Sequence, residues 1–286
     1  MAEIVAVHGI GQYGSSAARL REIWLPALRE GLARADATSL VDLDHVDLDC
    51  VYYADLLRPG GKAVGMVPAY GPADIEPGFE QDLLTLWWRA AAAYEPDLVP
   101  GPDSLTKTYS PQLVQRALAS LSRSTFWSAV PRRVIIAALK DLRRYLYVPG
   151  IRESVQAKIA TALGPDTRIV IGHSLGSVVA YEALHDVDAS VAQLLLTVGS
   201  PLGIPHLVLD RLEPPSTAGQ GVWPDAARRW VNVAGLEDTV ALVKDLAPVF
   251  GRRVENHVIR NGLRAHDVTR YLASAEVGRA VAGAVG

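Results

Sequence analysis

Apolar residues in this chain gather into short β-branched runs, separated by stretches where they recur every three or four positions. The runs at residues 4–7, 168–171, 192–198, 230–234 and 254–259, and the period-two stretch at 46–53, read as strands. Between them the three-to-four spacing predicts helices. The first covers about residues 15–33, with Leu20, Ile23, Trp24, Leu28 and Leu32 on one face and Ser15 or Ser16 as N-cap. Others are expected at about 151–163, 178–184, 240–250 and 268–285. Strands alternating with helices at this spacing require right-handed crossovers and a parallel sheet. The expected fold class is α/β, a mostly parallel sheet flanked by helices.

The rhythm breaks between Asp55 and Pro149, where no strand pattern occurs. A Pro/Gly-rich stretch (Pro59, Gly60, Gly61, Pro68, Pro72, Pro77, Gly78) runs into helical patterns near 79–94, 111–121 and 125–147. This predicts a core made of residues 1–54 and 150–286, with residues 55–149 inserted as a helical cap or lid. Leu83, Leu84, Leu86, Trp87, Trp88 and Tyr94 form an aromatic-rich patch, expected to be mostly cap core with some surface turned to a substrate. The last cap helix is basic, with Arg123, Arg132, Arg133, Lys140, Arg143 and Arg144 against Asp141. It reads first as a solvated cationic face. Peripheral contact with an anionic lipid surface or an acidic substrate is the lesser reading.

Composition narrows the classes. At 49% hydrophobic and 21% charged, the chain has the material for a real core and not the profile of disorder. A net charge of −3 points neither to nucleic acid nor to a strongly acidic partner. The single cysteine, Cys50, has no disulfide partner in the chain and reads as a buried thiol. No basic-then-apolar leader precedes the first strand, and no apolar run reaches membrane-spanning length, so a soluble cytoplasmic protein is expected.

The chemistry-bearing stretch is Gly172-His173-Ser174-Leu175-Gly176, placed between a strand and a helix. In that context G-x-S-x-G is a nucleophile elbow. The two glycines let the chains pass, the turn lifts the Ser174 hydroxyl off the sheet, and the Leu175 amide lies at a helix N-terminus, free to donate to an oxyanion. The plain alternative is a glycine-flanked serine that merely ends a strand.

A serine nucleophile needs an imidazole, and the imidazole needs an orienting carboxylate. With elbows the chain order is serine, acid, histidine. Of the seven histidines, His45 and His185 have no strand-end placement, His8 and His173 precede the nucleophile in backbone turns, and His206 precedes the best acid. His257 lies inside the last strand, whereas His266 sits in the loop beyond it and is preferred. Asp238, after the strand at 230–234, is the preferred acid, and its neighbour Glu237 should point elsewhere. Asp238 could alternatively be only the N-cap of a helix starting at Thr239. The second oxyanion donor is expected at the Ile10 amide, between Gly9 and Gly11. The string Gly9-Ile10-Gly11-Gln12-Tyr13-Gly14 also fits a dinucleotide loop, a reading that leaves the elbow, Asp238 and His266 unexplained.

With these residues placed, the chain resembles an α/β-hydrolase-fold serine hydrolase over nearly all of its length except the cap. The opening Val7-His8-Gly9-Ile10-Gly11 resembles the oxyanion loop of small bacterial lipases. The elbow, Gly199-Ser200-Pro201-Leu202, and His266-Asp267 before Tyr271-Leu272 are similar to lipase/esterase-like members. The resemblance implies that the sheet begins at the family's third strand. Ser177 stands where the family often has glycine. The expected function is hydrolysis of a carboxylic ester or related acyl bond, without metal or organic cofactor, through Ser174, His266 and Asp238. An apolar cap suggests a medium or long acyl, or otherwise hydrophobic, substrate. The alternatives are an acyltransferase or thioesterase with the same triad, or a non-catalytic binding protein on this fold.

Overall fold

The computed structural model of the chain describes residues 2–38, 47–58, 68–102, 110–187 and 192–285. Its centre is a six-stranded sheet in the order β2-β1-β3-β4-β5-β6, made of Leu48–Val51, Ile4–Val7, Ile169–His173, Ala192–Val198, Ala227–Gly235 and Val254–Ile259. Every neighbouring pair is parallel, so the expected α/β class with its parallel sheet is present.

Strand alternation sorts the core into two layers. Ile4, Ala6, Ile169, Ile171, Leu194, Leu196, Val231 and Val233 face α1 (Ala17–Arg34), α8 (Val268–Leu272) and α9 (Ala275–Val285). Val5, Val7, Val170, Leu195 and Trp230 face the opposite way. That side carries α2 (Phe79–Tyr94), α3 (Pro111–Leu121), α4 (Arg132–Tyr147), α5 (Ile151–Ala160), α6 (Leu175–Ala183) and α7 (Ala247–Phe250). Burial on both faces explains why the inner strands β1, β3 and β4 read as nearly unbroken apolar runs. Cys50 is buried in the first layer, and burial pushes its thiol up to about 12.

The segment between β2 and β3 is helical among its described residues, and its apolar faces join the second layer rather than forming a separate core. The residues of the predicted strand at 46–53 that pair are Leu48–Val51. Val46, His45 and the Pro59-Gly60-Gly61 stretch lie outside the described residues. None of the described helices is long and apolar enough to cross a membrane.

Several expected boundaries shift for local reasons. Ser16 is the N-cap of α1, its Oγ accepting from the Arg19 amide at 3.2 Å. Helix α4 starts at Arg132, not near 125, because Pro131 disfavours helical backbone in the residue before it. The expected helix over 240–250 reduces to Ala247–Phe250. Residues 240 and 241 instead turn their amides onto Asp238 Oδ1, at 2.8 and 3.3 Å, a side-chain bond that competes with the helix. Asp238 is therefore not a helix N-cap. The expected terminal helix is divided in two at Ala273-Ser274, where Ser274 Oγ accepts from the Val277 amide and starts α9.

The basic helix departs furthest from its expected solvated face. Lys140 is buried and pairs with Glu76 and Glu80 at 3.0 and 2.9 Å, and Arg143 pairs with Glu76 at 2.9 Å. Arg144 donates to the Leu57 carbonyl and the Tyr70 hydroxyl. These cations tie α4 to α2 and its neighbouring loops, whereas Arg123, Arg132 and Arg133 are exposed, as the solvated reading expects.

On the first-layer side, α1 lies in backbone contact with α8 and α9. A Cβ on Gly31 would stand 2.2 Å from the Leu272 carbonyl oxygen, and one on Gly278 would stand 2.1 Å from that of Gly31. Only glycine permits that approach.

Candidate active site

Each chemistry-bearing group sits at or just beyond the carboxyl end of a strand, where open α/β sheets collect their ligands. Ser174 follows β3 with φ 54° and ψ −127°. This left-handed conformation is costly for a residue with a side chain, and the surroundings hold it there. Its amide donates to the Val198 carbonyl at 3.1 Å. Ser177 Oγ donates to the Ser174 carbonyl at 2.6 Å and lies 2.7 Å from Ser200 Oγ. Ser177 thus ties the elbow to the loop after β4.

The glycines are needed for space. A Cβ on Gly176 would meet the carbonyl oxygens of Val7 and His8 at 2.1 and 2.4 Å, and one on Gly172 would meet Ser177 Cα at 2.5 Å. Gly9 passes so close that its Cβ would stand 2.7 Å from Ser174 Cβ. The loop after β1 therefore lies directly against the elbow. Leu175 is the first residue of α6, so its amide has no partner within the helix. Ile10, in the loop, and Leu175 both line the small cavity at Ser174.

His266 bridges the elbow and the acid. Its Nε2 lies 2.9 Å from Ser174 Oγ, and its Nδ1 lies 2.7 Å from Asp238 Oδ2. The three residues singled out from the sequence are thus brought into one hydrogen-bonded line. His257 remains in β6, and His206 is on the surface beside Asp210. Glu237 points away, pairing with Arg260 at 3.4 Å and accepting from the Asn261 amide.

Burial alone would raise the Asp238 carboxyl. The opposing pull of His266, its hydrogen bond and that of Tyr271 bring it down to about 2. The Tyr271 hydroxyl donates to Asp238 Oδ2 at 2.6 Å and accepts from the Gly235 amide at 2.8 Å. Lys244 donates to the Asp238 carbonyl. Gly199, at φ 58°, floors the pair: a Cβ there would meet Tyr271, Asp238 and His266 at 3.1–3.2 Å.

No family model, curated protein or solved structure matches the chain. The chemistry therefore rests on these contacts. Ionised Asp238 accepts from Nδ1–H, which leaves Nε2 unprotonated and facing the serine hydroxyl. That is the tautomer a general base needs.

Other groups shape the site besides the three expected from the sequence. His173 donates from Nε2 to the His266 carbonyl at 2.9 Å, and burial, ahead of the neighbouring His266, holds its imidazole down at about 3. His8 accepts the Tyr53 amide on Nε2 at 3.1 Å and stacks on the Tyr53 ring, and burial holds it at about 4. Asp141, buried on α4, accepts from the Tyr13 hydroxyl. Burial pushes its carboxyl up to about 7 against that donor and Arg144. Asp141 thus anchors the glycine loop that holds Ile10. The dinucleotide reading of that loop finds no helix at its end, since α1 starts only at Ala17.

Proposed function

We propose that the protein is a serine hydrolase of the α/β-hydrolase-fold type, an esterase cleaving an ester of apolar character. The observation that carries this reading is the unbroken line Ser174 Oγ, His266 Nε2, His266 Nδ1, Asp238 Oδ2, at 2.9 and 2.7 Å. The strained elbow, the strand-end placement and the order serine, acid, histidine along the chain support it. Residues 55–149, whose Leu83, Trp87, Ala138 and Leu142 roof Ser174, act as the cap.

In the reaction, Ser174 Oγ bonds to the acyl carbon while its proton passes to His266 Nε2. The carbonyl electron pair moves onto oxygen, which the amides of Ile10 and Leu175 receive. Collapse breaks the bond to the alcohol, which takes the proton from His266. Water then adds with its proton going to Nε2, and the acid leaves as Ser174 regains its hydrogen. Every proton is carried by a group of the chain. The deep placement of Ser174, only 2% exposed, favours acyl transfer as the second reading, because a bound alcohol or amine could compete with water.

Labelling with a small fluorophosphonate tests the assignment. Wild type should label stoichiometrically at Ser174 and Ser174→Ala should not. Equal labelling of both, or of neither, overturns it. Product analysis with added alcohols then separates hydrolysis from transfer.

A further inference from the structure

One cavity opens on the nucleophile and a second on His266, and they are very unequal. The smaller, about 10 Å³, is walled by Ser174, Leu175, Leu83, Leu142, Pro201 and Ile204. The larger, about 400 Å³, is lined by His266 and the charged Arg264 and Asp267 at one part and by Phe126, Trp127 and Ile135 at another. Ile10, Trp87, Ala138 and Val240 stand between them, belonging to both walls.

The chemistry assigns the two spaces. Around the tetrahedral carbon, one bond goes to Ser174 Oγ and one to the oxyanion at the Ile10 and Leu175 amides. The leaving oxygen must lie beside His266 Nε2, because that nitrogen returns the proton. The acyl chain takes the remaining direction, away from the imidazole. His266 is on the wall of the large cavity only, and Ser174 and Leu175 are on the wall of the small one. From this geometry we infer that the enzyme acts on esters of very short acids with bulky apolar alcohols, the acyl group entering the small cavity and the alcohol the large one.

Size makes the division sharp. About 10 Å³ holds roughly one water-sized group, so any acyl group beyond the shortest has to push its walls apart. Leu83 comes from α2, Leu142 from α4 and Ile204 from the loop after β4, all buried, so no single side chain can yield much room. About 400 Å³ lies within the ordinary range for a small-molecule site. Its aromatic and branched walls suit a ring-bearing or branched alcohol. The expected hydrophobic substrate is thereby narrowed, with the apolar bulk on the alcohol and not on the acid.

The inference rests on the serine-hydrolase reading, and the experiment keeps the two apart. Acid release is followed by pH-stat for two ester series: one alcohol, 2-naphthylmethanol, with acetyl, butanoyl and octanoyl groups, and one acid, acetic, with butyl and 2-naphthylmethyl alcohols. The expected result is a fall in kcat/KM of at least about tenfold from acetyl to butanoyl, and a rise of similar size from butyl to naphthylmethyl. Leu142→Ala, or the milder Ile204→Val if that variant does not fold, should shift the acyl optimum to a longer chain while Ser174 still labels with fluorophosphonate. Labelling at Ser174 together with a kcat/KM that climbs from acetyl to octanoyl overturns the partition and leaves the hydrolase standing. Neither labelling nor turnover removes both.

Discussion

The Tyr271 hydroxyl and His266 Nδ1 meet on the same oxygen of Asp238, at 2.6 and 2.7 Å. Asp238 Oδ1 is taken up by the amides of Val240 and Ala241. The carboxylate is therefore fully occupied and cannot rotate without giving up several partners. Since the Tyr271 hydroxyl also receives the Gly235 amide, it ties the end of β5 to the acid.

Tyr271→Phe keeps the ring and removes that tie. The Gly235 amide loses its acceptor in a buried setting, which should cost about 1–3 kcal/mol in denaturant unfolding. Turnover should fall more in kcat than in KM, because the altered group orients the imidazole and leaves the substrate walls intact. An unchanged unfolding midpoint would show that the phenol is not structurally engaged.

Asp141 makes the packing of α4 sensitive to pH. Its carboxyl, raised to about 7 in the fold, titrates near 3.9 in an unfolded chain. The folded state holds the proton more tightly, so this group's contribution to stability is full below about 4 and is lost as pH rises through 7. Asp141→Asn removes that loss. Relative to wild type, the variant should gain stability between pH 4 and 7, at most about 4 kcal/mol. Because the carboxylate also holds Tyr13, on the loop that carries Ile10, the variant's kcat should fall by up to about a hundredfold above pH 7. A stability difference that does not change with pH would refute the assignment.

The two buried imidazoles act with opposite sign. His8 and His173 are held at about 4 and about 3, below the unfolded value near 6.5. Their stabilising contribution is complete above 6.5 and is lost as pH falls towards 4 and 3, each by up to about 1.4 kcal/mol per pH unit. His173→Gln should flatten the acid side of the stability profile. Urea titrations at pH 4, 5 and 6.5 measure it.

Gly176→Ala tests the elbow without removing a polar side chain. The added Cβ would fall 2.1 Å from a backbone oxygen of β1, which no rotamer can relieve. A loss of at least about 3 kcal/mol, or failure to fold, is expected. Near-normal stability would mean that β1 and the elbow helix are not in contact.

Much of this site was legible along the chain because its parts are local signals. The elbow is five consecutive residues between a strand and a helix. Asp238 and His266 follow apolar runs whose ends are easy to see, and Ile10 lies between two glycines. The limit of β4 was readable for the same reason, since its apolar run ends sharply at Gly199. What could not be read is long-range pairing. Nothing near Asp141 announces that it reaches Tyr13, or that Lys140 is buried between Glu76 and Glu80. The missing helix at 240–246 was hidden because its apolar spacing is helical while Asp238, outside that pattern, captures the amides. Cavity size was equally hidden, being fixed by Leu83, Leu142 and Ile204 arriving from three separate parts of the chain.

The glycine contact between α1 and the C-terminal helices has a mechanical consequence. Helix α1 continues from the loop carrying Ile10, and α8 begins just after His266. Where Gly31 meets Leu272 and Gly278 there are no side chains to compress or re-rotamer. The spacing between the two flanks of the site is thus gauged on the far side of the sheet, backbone against backbone. The first and last parts of the chain form a rigid calliper, and its jaws keep their setting however the helices between β2 and β3 come to be remodelled.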